Sequence, residues 1–418
     1  MHPHEDHPTI NYGFLPRSTS VRSINRARII SLVRRYPSLM RVDLSRMSGL
    51  SKATVSSLVD ELVSQGFLFE DNQSGARQRR AGIRLNRDAG VAVGFEVAPG
   101  EVSGLVTDMS MRILRRCSHP LPDGAVQTAI DGLAAMYAEL VTDIALPCLG
   151  IVIAVPGPTD RTDQTLMFSP NLGWTEVPVG KVLTERLGQQ VSVVNVPHAM
   201  TLGEYWYGAG IGAQDMVHVN IGSGIGAGFL IGGQLLSGAQ GYGSEVGHMT
   251  ILPDGPPCRC GNHGCLDRLA SVPAIIEVAR RQAEQAGISG RSWQSGDAND
   301  YSTYIRLIEA ARDGDPITLD AIRLASSYVG IAVANLIDLF NPELVLIGGA
   351  LAEVGELVIH TIRETAQRRS LPLSFKGVEI RRAELGADAA CIGACALVID
   401  RYMAEFEPAV QASMYGGS

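Results

Sequence analysis

The chain has no uninterrupted apolar run of membrane-spanning length, which takes about 20 residues, so a membrane protein is not expected. Its start, Met1-His2-Pro3-His4-Glu5-Asp6-His7, lacks the basic segment followed by an apolar stretch that marks a secretory signal. The histidines there read as part of a disordered tail over residues 1–17 rather than as a metal site. Cysteine is sparse, with seven in 418 residues. Cys117, Cys148, Cys391 and Cys395 are scattered through apolar sequence and read as core residues, a pattern that suits a reducing cytoplasm. Charged residues make up 19% and hydrophobic ones 45%, as in ordinary globular chains, and the length suits two or three domains.

The other three cysteines are crowded into Cys258-Arg259-Cys260-Gly261-Asn262-His263-Gly264-Cys265. Thiols this close rarely bridge one another without strain, but they can surround one metal ion. Zn²⁺ takes four Cys or His ligands in a tetrahedron, and Cys258, Cys260, Cys265 and one imidazole complete such a set. Gly261 and Gly264 let the backbone turn tightly around the ion. A closed set leaves no open coordination position, so one structural Zn²⁺ per chain is expected. The fourth ligand is open between His263 inside the loop and His248 before it. The competing reading is three free thiols or a local disulfide.

The net charge of −8 conceals a division. Residues 15–90 hold 14 Arg/Lys against 6 Asp/Glu, a surplus of +8, so the remainder carries −16. A basic module on an acidic body points to nucleic acid at one end. Within residues 18–88, Ile24 to Arg35 has apolar Ile29, Ile30, Leu32 and Val33 on one helical face. Arg41 to Met47 forms a short second helix, and Ser48-Gly49-Leu50 makes a turn. Ser51 caps a third helix to about Ser64, with Val55, Leu58, Val59 and Leu62 at i, i+3, i+4 and i+7. This spacing predicts a helix-turn-helix. Its third helix offers Ser51, Lys52, Thr54, Ser56 and Ser57 at the end that enters the major groove, with Arg41 beside them. Strands Phe67–Glu70 and Gly82–Leu85 flank a loop bearing Arg77, Arg79 and Arg80, which reads as a wing contacting phosphates or a narrow minor groove. Double-stranded operator DNA is therefore the expected partner; a helical protein-interaction module is the alternative.

Residues 89–418 alternate apolar strands with helices, an α/β pattern. Val91–Val97 with Val102–Thr107, and Val217–Ile221 with Ala227–Ile231, read as hairpins. Leu149–Val155, Val191–Val194 and Leu344–Ile347 read as buried strands. An early and a late strand set predict two lobes with a cleft between them.

Six ordered motifs carry a family resemblance. They are Ala154-Val155-Pro156-Gly157-Pro158, Ser169-Pro170-Asn171-Leu172-Gly173-Trp174, Asn220-Ile221-Gly222-Ser223-Gly224-Ile225-Gly226, Gly243-Ser244-Glu245-Val246-Gly247-His248, the cysteine run, and Asn341-Pro342-Glu343-Leu344-Val345-Leu346-Ile347-Gly348-Gly349. The chain resembles the ROK family of sugar-responsive repressors and sugar kinases, over nearly its whole length. The resemblance implies an actin-like ATPase (ribonuclease H-like) two-lobed body behind an α+β winged helix-turn-helix. It implies His248 as the fourth zinc ligand. It maps sugar contacts onto Asn171, Asn195, Glu245, His248 and Asp267, the last standing where the family usually has Glu.

Two departures matter. Family kinases cradle ATP phosphates on an Asp-x-Gly-x-Thr turn; here Glu96-Val97-Ala98-Pro99-Gly100 lacks the Asp, Gly and Thr, Pro99 removes an amide donor, and Glu96 is expected to repel phosphate. Kinases also carry Asn-Asp-Ala-Asn, whose Asp takes the proton from the sugar hydroxyl. Here the run is Asn195-Val196-Pro197-His198, and no Asp or Glu occurs between Val191 and Gly203. A general base is commonly worth about 10²–10⁴ in rate, and His198 is displaced by two positions. The expectation is a cytoplasmic, DNA-binding regulator, a repressor sensing a sugar or sugar derivative as a homodimer or tetramer, with no catalytic residues and no ATP. An ATP-dependent sugar kinase with an appended DNA-binding module, or a regulator controlled by a protein partner, are the alternatives.

Overall fold

A computed structural model describes residues 21–36, 38–71, 82–122, 124–160, 162–298 and 301–405. The tail expected over 1–17 and the wing loop with Arg77, Arg79 and Arg80 lie outside the described residues.

The N-terminal module contains α1 (Val21–Arg35), α2 (Arg41–Ser48), α3 (Lys52–Ser64), β1 (Leu68–Asp71) and β2 (Gly82–Leu85). Gly49 ends α2 at φ 69°, a left-handed position that glycine adopts without a Cβ penalty. Ser51 then starts α3, its hydroxyl accepting from the Thr54 amide at 3.1 Å. Val55, Leu58, Val59 and Leu62 are all buried, so the i, i+3, i+4, i+7 stripe faces inward. β1 and β2 pair antiparallel from Leu68↔Leu85 to Asp71↔Gly82.

The first lobe is built from β3 (Val91–Ala98), β4 (Gly100–Asp108), β5 (Ile113–Leu121), α4 (Val126–Val141), β6 (Cys148–Val155), the hairpin β7 (Leu166–Ser169) and β8 (Trp174–Val177), α5 (Val179–Leu187), β9 (Val191–Asn195) and α6 (Val196–Tyr207). Its sheet runs β5-β4-β3-β6-β9, an antiparallel meander followed by two parallel strands. The second lobe repeats the scheme. It contains β10 (Met216–Ile221), β11 (Ile225–Ile231), β12 (Gln234–Leu235), α7 (Leu266–Ala270), α8 (Val272–Gln285), α9 (Tyr301–Arg312), α10 (Pro316–Phe340), β13 (Leu344–Gly348), α11 (Glu356–Arg369), α12 (Pro372–Phe375) and β14 (Glu379–Arg382). Its sheet runs β12-β11-β10-β13-β14, with β13 and β14 parallel to β10. The final helix, α13 (Ala389–Glu405), returns to the first lobe and packs on β3, β6 and α6. This is the two-lobed α/β body that the strand pattern predicts.

The helix α10, with 25 residues, is long and apolar enough to cross a membrane, although its charged residues interrupt any continuous apolar run. Here it is a core helix: Ile322, Val329, Val333, Leu336 and Ile337 are buried, and it packs against α8 and α11. The helix α6 lies between the lobes. A Cβ on Gly226 of β11 would sit 2.3 Å from Pro197 Cγ, and one on Gly228 would sit 2.1 Å from Thr201 Oγ1. On the other side, a Cβ on Gly393 of α13 would lie 1.8 Å from the Ala199 carbonyl, and one on Gly203 of α6 would lie 2.7 Å from that of Ala389. Only glycine permits both approaches. One hydrophobic cluster runs without a break from the N-terminal module through α13 and α6 to the first sheet.

Candidate functional site

The second-lobe wall of the cleft is organised by the cysteine run. His248, Cys258, Cys260 and Cys265 bring their ligand atoms within 4.8 Å of one another. Cys260 Sγ and Cys265 Sγ are 3.7 Å apart, and Cys258 Sγ is 3.8 Å from His248 Nδ1. Around a tetrahedral ion with bonds of about 2.3 Å to sulfur, two sulfurs stand about 3.8 Å apart, so the cluster has the dimensions of a four-ligand metal site. All seven cysteines are free, which leaves no local disulfide. His263 is exposed, and its backbone pairs with Pro257. Of the two imidazoles, His248 is the one in the cluster. Gly264, at φ 62°, brings the loop so close to Leu252 that a Cβ would meet its carbonyl oxygen at 1.6 Å. Burial pushes the Cys265 thiol up to about 12, with the neighbouring sulfurs adding to the shift. Such a set of sulfurs holds negative charge only against a cation, which a metal ion would supply.

The cluster ties together the two segments that carry the expected carboxylates. Cys265 is the residue before α7, and Asp267 lies in that helix's first turn. Asp267 Oδ1 accepts from the Ile225 amide at 2.8 Å. Burial raises the Asp267 carboxyl, while that amide and His248 oppose the rise. Glu245 behaves alike: burial raises it and His248 opposes. Both carboxyls are therefore within electrostatic reach of the His248 ring.

The facing wall belongs to the first lobe. A Cβ on Gly224 would be 3.2 Å from Asp267 Oδ1 and 3.5 Å from Asn171 Nδ2, so Asn171 reaches across the cleft to this spot. Asn195 ends β9, is buried, and accepts the Gly157 amide on its Oδ1 at 3.1 Å. Gly157 in turn abuts the Phe168 carbonyl, three residues before Asn171. Asn171 thus stands close to Asp267, while Asn195 is tied within the first lobe through Gly157.

Val196 begins α6 next to Asn195 and packs on the hydrophobic cluster that joins the N-terminal module to α13 and α6. His198 is buried, and burial lowers it to about 4, so it stays neutral at neutral pH and is a weak base. The expected repulsion by Glu96 needs correction. Burial and Glu101 raise its carboxyl to about 7, so near neutrality it is ionised only in part.

In the N-terminal module, Lys52 and Ser57 are exposed at the start of α3. Ser51 and Thr54 share a hydrogen bond of 2.8 Å between their hydroxyls. Arg41 differs from its expected role as a DNA contact. Its Nη2 binds Asp60 and its Nε binds Glu70, both at 2.6 Å, and Nη1 reaches the Ser56 carbonyl at 3.2 Å. These bonds raise its pKa, Asp60 contributing most. The guanidinium braces α2 against α3 and β1.

One structural carboxylate lies outside the expected site. Glu204 is fully buried in α6, where it accepts amides from Ala209 at 2.8 Å, Glu384 at 2.9 Å and Leu385 at 2.7 Å. It staples α6 to the segment leading into α13, and the only signal for it in the sequence is its place after Leu202-Gly203.

A sequence profile described as the ROK family matches residues 92–401. The xylose repressor of Caldicellulosiruptor bescii is 30% identical over 389 residues, 91% of this chain and 96% of its own. A glucokinase of Thermotoga maritima is 33% identical over 300 residues, 71% of this chain and 93% of its own. In fold, the chain is similar to the crystal structure of a ROK family transcriptional regulator, a homolog of the E. coli MLC protein. There the TM-score is 0.77 at 24% identity, covering 92% of this chain and 97% of that one. The repressor match, at 91% of the chain, runs into the module that precedes residue 92. The chain belongs to the ROK family.

Proposed function

We propose that this chain is a DNA-binding transcriptional repressor whose hold on its operator is set by a sugar, or sugar derivative, in the interlobe cleft. The observation that carries this reading is the repressor relative's match across the N-terminal module as well as the body. In this reading residues 18–88 are the DNA-binding domain and residues 89–418 the sensor. Lys52, Thr54, Ser56 and Ser57 approach base edges, and Arg77, Arg79 and Arg80 approach phosphates. Asn171, Asn195, Glu245, His248 and Asp267 hold the hydroxyls, because amides and carboxylates accept or share paired hydroxyl hydrogens. Zn²⁺ is the ion that the Cys₃His donor set suits best, and its part is to fix His248 and the α7 terminus rather than to react.

Sugar can shift DNA binding only if it binds one lobe arrangement better than the other. The test is titration of DNA from upstream of its own gene, with and without D-xylose and a panel of sugars and sugar phosphates. Binding should weaken with added salt, as phosphate contacts require, and at least one sugar should change it. An affinity unmoved by the whole panel would sink the sensing half, and absence of salt-dependent binding the DNA half.

The glucokinase identity of 33% favours a second reading, an active sugar kinase. Val196 at the base position and the Glu96–Gly100 turn weigh against it, since neither a proton acceptor nor an amide cradle for phosphate is in place. ATP-dependent phosphorylation of D-glucose or D-xylose, lost in His198→Ala, would establish it instead.

A further inference from the structure

The DNA-binding module is fastened to the body by a buried cation. Arg34, in the last turn of α1, has only 3% of its side chain exposed, and its Nη1 donates to Asp400 Oδ1 of α13 at 2.6 Å. Its guanidinium carbon lies 3.2 Å from the centroid of the Trp206 ring and 5.9 Å from that of Tyr207, both in the last turn of α6. Two residues beyond Asp400, Tyr402 meets Phe67 of the module edge-on at 5.6 Å. Between them Arg401 binds Asp163 of the first lobe at 2.6 Å. Module, α13 and α6 therefore converge on one joint. It is imperfectly satisfied: Arg34 Nε and Trp206 Nε1 are buried without a hydrogen-bond partner. A joint with unmet polar groups is one whose docked form competes closely with others.

The same helix reaches the cleft at its other end. α6 starts directly after Asn195, and its 12 residues span about 18 Å at 1.5 Å per residue. Glycine contacts clamp it against β11 of the second lobe and α13 of the first. A rigid rod held this tightly by both lobes cannot stay in place when they move relative to each other.

We propose that α6 transmits cleft occupancy to the DNA-binding module, and that the Arg34–Asp400–Trp206 joint passes the movement on. Trp206 and Asp400 are positioning residues, remote from sugar and DNA alike. The proposal rests on the sugar-responsive reading only in taking sugar as what moves the lobes.

The test uses full-length protein carrying Arg34→Gln or Asp400→Asn, with Trp206→Phe as the variant that keeps an aromatic face. A fourth protein, Arg34→Met with Asp400→Leu, replaces the ion pair by apolar groups of similar volume, a change that buried pairs commonly tolerate; it serves if a single variant fails to fold. Without sugar, hydrogen–deuterium exchange in Arg34→Gln should quicken at the first turn of α6 as well as in α1. With D-xylose, or whichever panel sugar is active, calorimetric sugar affinity should stay within about twofold of wild type. The sugar-induced change in DNA affinity, of the order of 5- to 150-fold for such couplings, should fall to within about twofold and be kept in Trp206→Phe. Survival of that change in the joint-breaking variants, or exchange confined to α1, overturns the proposal. If wild type responds to no sugar, the sensing reading fails, and the exchange measurement alone decides for or against the joint.

Discussion

Replacing Glu96 with Gln should stabilise this protein, and only in one pH range. Glu96 ends the inner part of β3, opposite Ser103 of β4 and Ala154 of β6. Burial there, with Glu101 across the hairpin, raises its carboxyl from 4.5 to about 7. A folded-state pKa above the unfolded one means that the folded protein binds the proton more tightly. The associated stability is full below about pH 4.5 and is lost as pH rises through 7. At 1.36 kcal/mol per unit, the shift corresponds to at most about 3 kcal/mol, and partial solvent access brings the expectation to roughly 1–3 kcal/mol. Gln carries no charge at any pH, so Glu96→Gln avoids the loss. Its melting midpoint should exceed wild type by a few degrees at pH 8.5 and differ little at pH 5. A gain of equal size at both pH values would show that packing, not ionisation, is responsible. A variant less stable at pH 8.5 would refute the burial argument outright.

Other perturbations probe the remaining parts. Cys260→Ser should lower bound zinc, measured by plasma mass spectrometry, from one ion per chain toward none, and destabilise the body; full retention of both would refute the metal assignment. Chelation should also weaken sugar binding, since Glu245 and Asp267 are carried by the two segments that the cluster joins. Gly226→Ala puts a methyl 2.3 Å from Pro197 Cγ and should cost about 1–3 kcal/mol by overpacking, read from urea midpoints; a neutral result would mean that α6 is held more loosely than described. Val196→Asp should not produce ATP-dependent phosphorylation of D-glucose or D-xylose, because the Glu96–Gly100 turn still offers no phosphate cradle; turnover would locate the barrier in Val196 alone.

The module and the strand framework are legible in the sequence because their signals are local. Val55, Leu58, Val59 and Leu62 announce a buried helical face, and Ser51 its start, whatever the rest of the chain does. The α1 start at Val21 rather than Ile24, and β1 at Leu68 rather than Phe67, are differences at element ends, where fraying and capping decide. β5 carries no such signal, for a different reason. It is the edge strand of its sheet, with Arg116 exposed and Arg115 half-buried beside it, and its alternation lacks the apolar run that marks its buried neighbours. The metal cluster is legible down to three ligands, since spacing alone groups the cysteines. Spacing does not choose between His248 and His263, which are both close in sequence; the family resemblance implies His248, and the fold of the loop places it in the cluster.

The parts that connect the lobes and the module leave no such trace. Arg34 reads as one more cation in a basic helix, and its partner Asp400 stands 366 residues away. Arg41 offers the same lesson in reverse: a surface arginine beside a recognition helix looks like a DNA contact until Asp60 and Glu70 are seen to occupy it. Glu204 is an ordinary helix residue in sequence, yet two of the amides it holds belong to residues 180 and 181 positions later. Gly226 and Gly228 read as ordinary glycines of a hairpin, whereas their lack of a side chain admits Pro197 and Thr201. In each case the residue type is ordinary and the information lies in the partner, which periodicity cannot supply. A ligand-responsive regulator needs such long-range pairs, because a signal confined to neighbours in sequence could not travel from the cleft to the DNA.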